Sequence, residues 1–202
     1  FKTFCNLLSQ VAKFLFDVGN EYGGSLLVIE NNNVGYAVII GNDAGAANIT
    51  TAATGTVAVG AEALESLTSG VANVAVGFQA LELCATGDYN TAVGHMALTS
   101  LNGDGDLGNT AVGFKAGHGV TDGEINTFLG RTAGFTVSTG DHNVAIGGES
   151  LKLLATGNRN IAIGHQALDA ADGAENDNIA IGYIALGSLN NDSSTMNVAV
   201  GN

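Results

Sequence analysis

Asn73-Val74-Ala75-Val76-Gly77 returns 17 residues later as Asn90-Thr91-Ala92-Val93-Gly94, and the same five-residue pattern runs on down the chain. Its closing glycine falls at Gly60, Gly77, Gly94, Gly113, Gly130, Gly147, Gly164, Gly182 and Gly201, in steps of 17 to 19 residues, with an eroded copy ending at Gly41. A fixed short period of this kind is the signature of a solenoid, in which each repeat is one unit that cannot bury its own faces and must stack on its neighbours.

Aligned on the glycine, each column is chemically narrow. Four residues before it stand Asn73, Asn90, Asn109, Asn126, Asn143, Asn160, Asn178 and Asn197, with Thr56 in the first full copy. A β-branched residue follows, then Ala (Phe128 in one copy), then Val, Ile or Leu. Three residues after the glycine comes Ala or Ser150, and the next is usually Leu or Gly. A short β-branched run ending in Gly reads as a strand followed by a sharp bend. Stacked about 4.8 Å apart in register, such strands pair every backbone group, and each Asn meets the amide of the next rung. Thr-Gly and Ser-Gly pairs, such as Thr86-Gly87 and Thr156-Gly157, mark a second turn. Length varies only beside it, at 101–108, 169–177 and 189–196. The expectation is an all-β parallel roll of about ten rungs over residues 41–202.

By two-residue alternation, the β-branched residue and those flanking the glycine share one face of the strand, while Asn, Ala and Gly share the other. The small face is expected to pack against sister chains around a three-fold axis. The alternative is that it fills the chain's own interior.

The first residues differ in kind. Phe4, Leu8, Val11, Leu15 and Val18 recur at spacings of four and three, predicting an amphipathic helix or coiled-coil neck over residues 1–24, ended by Gly23-Gly24. Residues 25–40 read as an irregular strand leading into the first rung. Lys13 and Asp17 interrupt the apolar run and no small-residue cleavage site follows, which argues against a signal peptide. No run of about 18 apolar residues suggests membrane insertion.

Asn143-Val144-Ala145-Ile146-Gly147-Gly148-Glu149-Ser150 resembles the head repeat of trimeric autotransporter adhesins, and the longer unit from Asn73 to Asn90 is similar to repeats of phage tail fibres and related bacterial tail-fibre-domain proteins. The resemblance covers roughly residues 41–202. It implies a left-handed parallel β-roll in a homotrimer, located outside the cell on a virion tail or a bacterial surface. It also implies a shaft or head role in a host- or surface-attachment device, and a cell-surface glycan as a partner.

Composition narrows the alternatives. Nineteen acidic residues against 6 basic ones leave a net charge of −13, the wrong sign for nucleic acid or an anionic membrane. No nucleophile elbow, phosphate loop or HExxH motif occurs, so no enzyme and no cofactor is expected. Cys5 and Cys84 lack metal or disulfide spacing. The column after the glycine, with Phe78, His95, Phe114 and Tyr183, is a candidate strip for stacking sugar rings; the other reading is a bulky column sealing the roll. Asn102, Asp104 and Asp106 alternate as in a calcium loop but lack the closing bidentate Glu, and read as a solvated turn. Asn48 and Asn191 match the glycosylation acceptor pattern. The second functional class is a monomeric solenoid binding glycan or ice through a flat face, which would need a regular exposed Thr array; Thr91, Thr110 and Thr127 supply a short one.

Overall fold

The computed structural model describes residues 27–30, 37–45, 53–190 and 195–202. The helix expected over 1–24, Cys5, and the acceptor sites Asn48 and Asn191 lie outside these residues.

The described chain is all-β. Its main sheet contains β1 (Leu27–Glu30), β2 (Ala37–Ile40), β3 (Val57–Val59), β4 (Val74–Val76), β6 (Thr91–Val93) and β8 (Thr110–Val112). It continues through β9 (Thr127–Leu129), β10 (Val144–Ile146), β11 (Ile161–Ile163), β12 (Ile179–Ile181) and β13 (Val198–Val200). From β2 to β13 every pairing is parallel and in register, Val74 beside Thr91 and Ala75 beside Ala92, so the chain makes about nine solenoid turns. β2 falls within the segment read as a transition, yet it pairs with β3 through Val38 and Val57 as a full rung. β1 pairs antiparallel to β2. At the second turn, β5 (Gly87–Asp88) and β7 (Gly105–Asp106) form a small parallel pair.

The asparagine column is a continuous hydrogen-bonded ladder. Asn90 donates its backbone N–H and its Nδ2 to Asn73 Oδ1, at 2.9 and 3.2 Å. The same pair of bonds joins Asn143 to Asn126 and Asn160 to Asn143. Asn73, Asn109, Asn126, Asn143 and Asn160 also reach across their own rungs, Asn73 Nδ2 donating to Gly87 O at 2.7 Å and Asn143 Nδ2 to Gly157 O at 2.8 Å, while Asn90 Nδ2 donates to Asp88 O. Thr56 offers its hydroxyl to Gly70 O in the same place. These amides are buried, and a buried amide left unpaired would cost about 1–3 kcal/mol.

The interior determines which strand face turns inward. Leu64, Leu81, Leu98, Leu151 and Leu168, four residues after their glycines, are fully buried, as are Leu67, Leu101, Val120, Val137 and Leu154, seven after. These columns supply the bulk from the opposite walls. The space they leave accepts only small groups from the strand, and Ala58, Ala75, Ala92, Ala111, Ala145, Ala162 and Ala180 have no exposed surface. The Asn/Ala face is therefore the chain's own interior and does not meet a sister chain. The larger β-branched residues point outward, as the pattern of half-buried, buried, half-buried along β3, β4, β6, β8, β10 and β11 records.

The glycine that ends each strand is required by its neighbour. Gly130 has φ +141°, and a Cβ built there would lie 2.6 Å from the carbonyl oxygen of Gly147 in the next rung. A side chain at that bend would force the rungs apart.

Candidate functional site

The outward face of the sheet is the most regular surface of the molecule. Its centre is two columns: Val57, Val74, Thr91, Thr110, Thr127, Val144, Ile161 and Ile179, and, two residues on, Val59, Val76, Val93, Val112, Leu129, Ile146, Ile163 and Ile181. None carries a charge. Most are half-buried by their own neighbours, and Leu129 remains 45% exposed. The hydroxyls of Thr91, Thr110 and Thr127 stand in a row at successive rungs, and none bonds within the described residues.

Two further columns border this face. On the trailing edge, just after the glycine, stand Ala61, Phe78, His95, Phe114, Arg131, Gly148, His165 and Tyr183. On the leading edge, five residues before the glycine, stand Ala72, Tyr89, Gly108, Ile125, His142, Arg159 and Asp177. Sequence reasoning passed over the leading edge, because its residue types vary; what they share is a left-handed backbone, with φ of +60° at Tyr89, +54° at Ile125 and +58° at His142.

The trailing-edge rings do pack together, but on each other. Phe78 and His95 lie with centroids 5.1 Å apart, His95 and Phe114 5.3 Å apart, and His165 and Tyr183 5.8 Å apart. His95 thus has a ring neighbour in each adjacent rung, tilted by 40° and 32°, and the Lys115 ammonium sits 5.6 Å from the Phe114 centroid. Phe78, Phe114 and Tyr183 remain 39%, 46% and 56% exposed. Arg131 and Gly148 separate the two stacks.

Ionisable groups lie away from the central columns. Glu149 accepts from Arg131, from Lys152 Nζ at 3.4 Å and from Gln166 Nε2 at 3.1 Å. Its carboxyl is drawn down to about 2, by the Gln166 bond first and then by Arg131 and Lys152. Arg159 pairs with Asp177 through two bonds of 2.6 and 2.9 Å, which lowers the Asp177 carboxyl. Glu62, Glu65 and Glu82 offer oxygens within 4.8 Å of one another, the one three-carboxylate group found among the described residues. Burial, then Glu62 and Glu65, push the Glu82 carboxyl up, and Gln79 Nε2 donates to Glu62 at 2.6 Å.

The remaining polar and titratable groups are dispersed. Asn102, Asp104 and Asp106 are exposed in the insertion at the second turn, and Asp104 accepts from Thr86 of the preceding rung. His118 stacks on Phe135 at 5.1 Å, and burial, then Lys115, lowers its pKa. Cys84 is a free thiol inside the roll, pushed up to about 12 by burial. Among the described residues no helix is long and apolar enough to cross a membrane.

No protein-family model, no curated protein and no solved structure matches this chain.

Proposed function

We propose that this chain is a structural segment of a homotrimeric extracellular fibre, the shaft or head of a tail fibre or surface adhesin, which holds an attachment device away from its virion or cell. The supporting observation is the outward face: two uncharged columns of Val, Ile, Leu and Thr running the length of the stack on a chain whose net charge is −13. Ten rungs at about 4.8 Å and seven residues across at about 3.3 Å make a face on the order of 40 Å by 20 Å. That is close to the ~800 Å² each partner contributes to a standard interface. Copies related by rotation about an axis parallel to the stack would meet there without bringing their acidic turns together. The left hand of the roll, which rests on sequence resemblance, and the neck over 1–24, which rests on the spacing of Phe4, Leu8, Val11, Leu15 and Val18, belong to the same proposal. Any glycan contact is then an avidity effect of three copies of weak turn contacts.

Light-scattering mass of the chain, with and without Phe1 to Gly24, tests the reading. The expected mass is three times that of the chain measured in both cases, 20.2 kDa being the mass of one intact chain. A single-chain mass for the intact protein overturns it.

The second reading, a monomeric solenoid that binds ice or glycan through this face, is supported by the three outward hydroxyls of Thr91, Thr110 and Thr127. Thermal hysteresis from a single-chain species, lost on Thr110→Val, would favour it over the fibre.

A further inference from the structure

The two ends of the main sheet differ. β2 is covered by β1, which runs antiparallel to it, whereas no strand pairs beyond β13 among the described residues. Up to β13, each rung engages the next through the same groups. Ile161 N donates to Asn178 O and Ile179 N to Asn197 O, each at 2.8 Å. Gly182 N donates to Ile163 O and Gly201 N to Ile181 O, again at 2.8 Å. Asn178 Oδ1 accepts from the backbone N–H and the Nδ2 of Asn197, at 3.0 and 2.8 Å. On the wall that follows the glycine, Leu168 N donates to Ala185 O at 2.9 Å.

One rung further on, the same groups meet an open surface. Val198 N, Val200 O and Leu186 N, the counterparts of Ile179 N, Ile181 O and Leu168 N, have no following rung among the described residues, and Asn197 Oδ1 accepts no bond there. Val200 is 75% exposed where Ile181 is 36%. A Cβ on Gly182 would lie 2.1 Å from Gly201 O, but one on Gly201 would meet nothing within 4 Å. An open cavity of about 340 Å³ is lined by Ile184, Leu186 and Ser188 on one side and by Ala199 and Gly201 on the other.

This surface restricts what can cover it, because three columns must be met at once: an amide donor for Asn197 Oδ1, a small group beside Ala199 and a carbonyl against Gly201. β13 of a second copy, antiparallel about a two-fold axis with Ala199 beside Ala199, would set Asn197 opposite Gly201 and leave the amide unanswered. β1 of a second copy, Leu-Val-Ile-Glu, brings neither Asn nor Gly. A parallel strand of the pattern Asn-x-Ala-x-Gly meets all three, as the rung-to-rung contacts inside the molecule do. The other strands of that pattern in this chain are each paired on both sides. We propose that the β13 end of the roll is a docking surface for a repeat strand supplied by another polypeptide, an Asn-x-Ala-x-Gly segment that adds parallel to β13 with Asn over Asn197, Ala over Ala199 and Gly over Gly201. The residues preceding that segment lie over Ile184 and Leu186 and fill the cavity. Main-chain bonds to the strand edge supply affinity, and the three columns supply selectivity. The inference does not depend on side-by-side association, since the end of a roll stays open in a bundle of parallel rolls.

The probe is a fluorescently labelled synthetic peptide of residues 148–164, one wall and one strand of the chain's own repeat, titrated against the full-length chain by anisotropy. The expected result is saturable binding of one peptide per chain. Asn160→Leu in the peptide should weaken it roughly tenfold, because Asn197 Oδ1 is then covered without a donor. A scrambled peptide of the same composition should not bind. These changes are made in the peptide, so the chain's own folding is untouched. A covalent readout fixes direction and register: with Val198→Cys in a Cys5→Ser chain, the peptide carrying Ile161→Cys should form a disulfide and the one carrying Ile163→Cys should not. Antiparallel addition centred on Ala199 reverses that preference and overturns the proposal. Equal binding of the scrambled peptide overturns it, and so does the absence of saturable binding, as when a second copy already covers the end.

Discussion

Most of the interior is built from repeated Ala and Leu, but the region around β9 is not, and the two solutions can be compared atom by atom. In an ordinary rung such as the one at Ala92, the strand contributes a methyl group and the wall opposite contributes Leu98; both are fully buried. At β9 the strand contributes Phe128, and the wall positions that should hold leucine in two successive rungs hold Gly117 and Gly134. A Cβ on Gly117 would lie 2.7 Å from Phe128 Cδ2, and one on Gly134 would collide with the same ring. One phenyl ring occupies the place of two leucine side chains. The glycines fit the backbone, since that position is left-handed in every rung, with φ +60° at Gly117, +61° at Gly134 and +53° at Leu81. The interior therefore conserves volume and shape, with residue identity free to move between opposite walls.

The largest predicted effect tests this exchange directly. Phe128→Ala alone should lose about 3–5 kcal/mol, because both walls are then empty. Combining it with Gly117→Leu and Gly134→Leu should recover most of the loss in urea denaturation; a triple variant no more stable than the single one would show that the ring is not standing in for leucine.

The comparison then extends from one interior region to the two sides of a strand. Asn143→Ala removes a buried amide that serves Asn126, Asn160 and Gly157, and should cost about 1–3 kcal/mol for the groups left unpaired. On the other side of the same strand, Val144→Lys should leave far-UV circular dichroism intact and reduce the light-scattering mass, since its side chain points away from the roll. Unfolding by Val144→Lys would mean that the two sides had been assigned the wrong way round.

Smaller effects come from the margins. Glu149 is held well below its ordinary value of 4.5, at about 2, so its contribution to stability is complete above 4.5 and lost as pH falls toward 2. The stability gap between the wild type and Glu149→Gln should therefore be widest near neutral pH and close across that window in acid titrations. Glu82 has the opposite sign: its carboxyl is raised, so keeping it ionised at neutral pH costs stability. Glu82→Gln should raise Tm slightly at low salt, with the gain shrinking as salt screens Glu62 and Glu65 or as pH falls far enough to neutralise the wild-type carboxyl.

The period, the main-sheet strands from β3 onward, the asparagine ladder and the glycine bend after each of those strands were legible from the sequence, because each needs one residue type at one spacing; β2, read within a transition segment, and the β5–β7 pair were not. Which strand face turns inward was not legible. Two-residue alternation separates Asn73 and Ala75 from Val74 and Val76 but is symmetric with respect to inside and outside. The decision comes from the far walls, where Leu64, Leu67 and Leu81 fill the roll and leave space for methyl groups and amides alone. The aromatic strip was visible as a column, while the packing of Phe78, His95 and Phe114 against one another along the axis needed coordinates. The leading edge escaped because its left-handed positions hold residues as unlike as Ala72, Tyr89, Ile125 and Arg159 and so leave no compositional mark.

The glycine bend has a consequence for growth. Because the close approach of Gly130 to Gly147 is the same as that of Gly147 to Gly164, the upper surface of a rung is interchangeable with that of its neighbour. A gene encoding this chain can gain or lose one 17-residue unit and rejoin like to like, Asn to Asn and Gly to Gly. Reach then changes in steps of about 4.8 Å while the cross-section stays constant, as in a ruler cut only at its graduations.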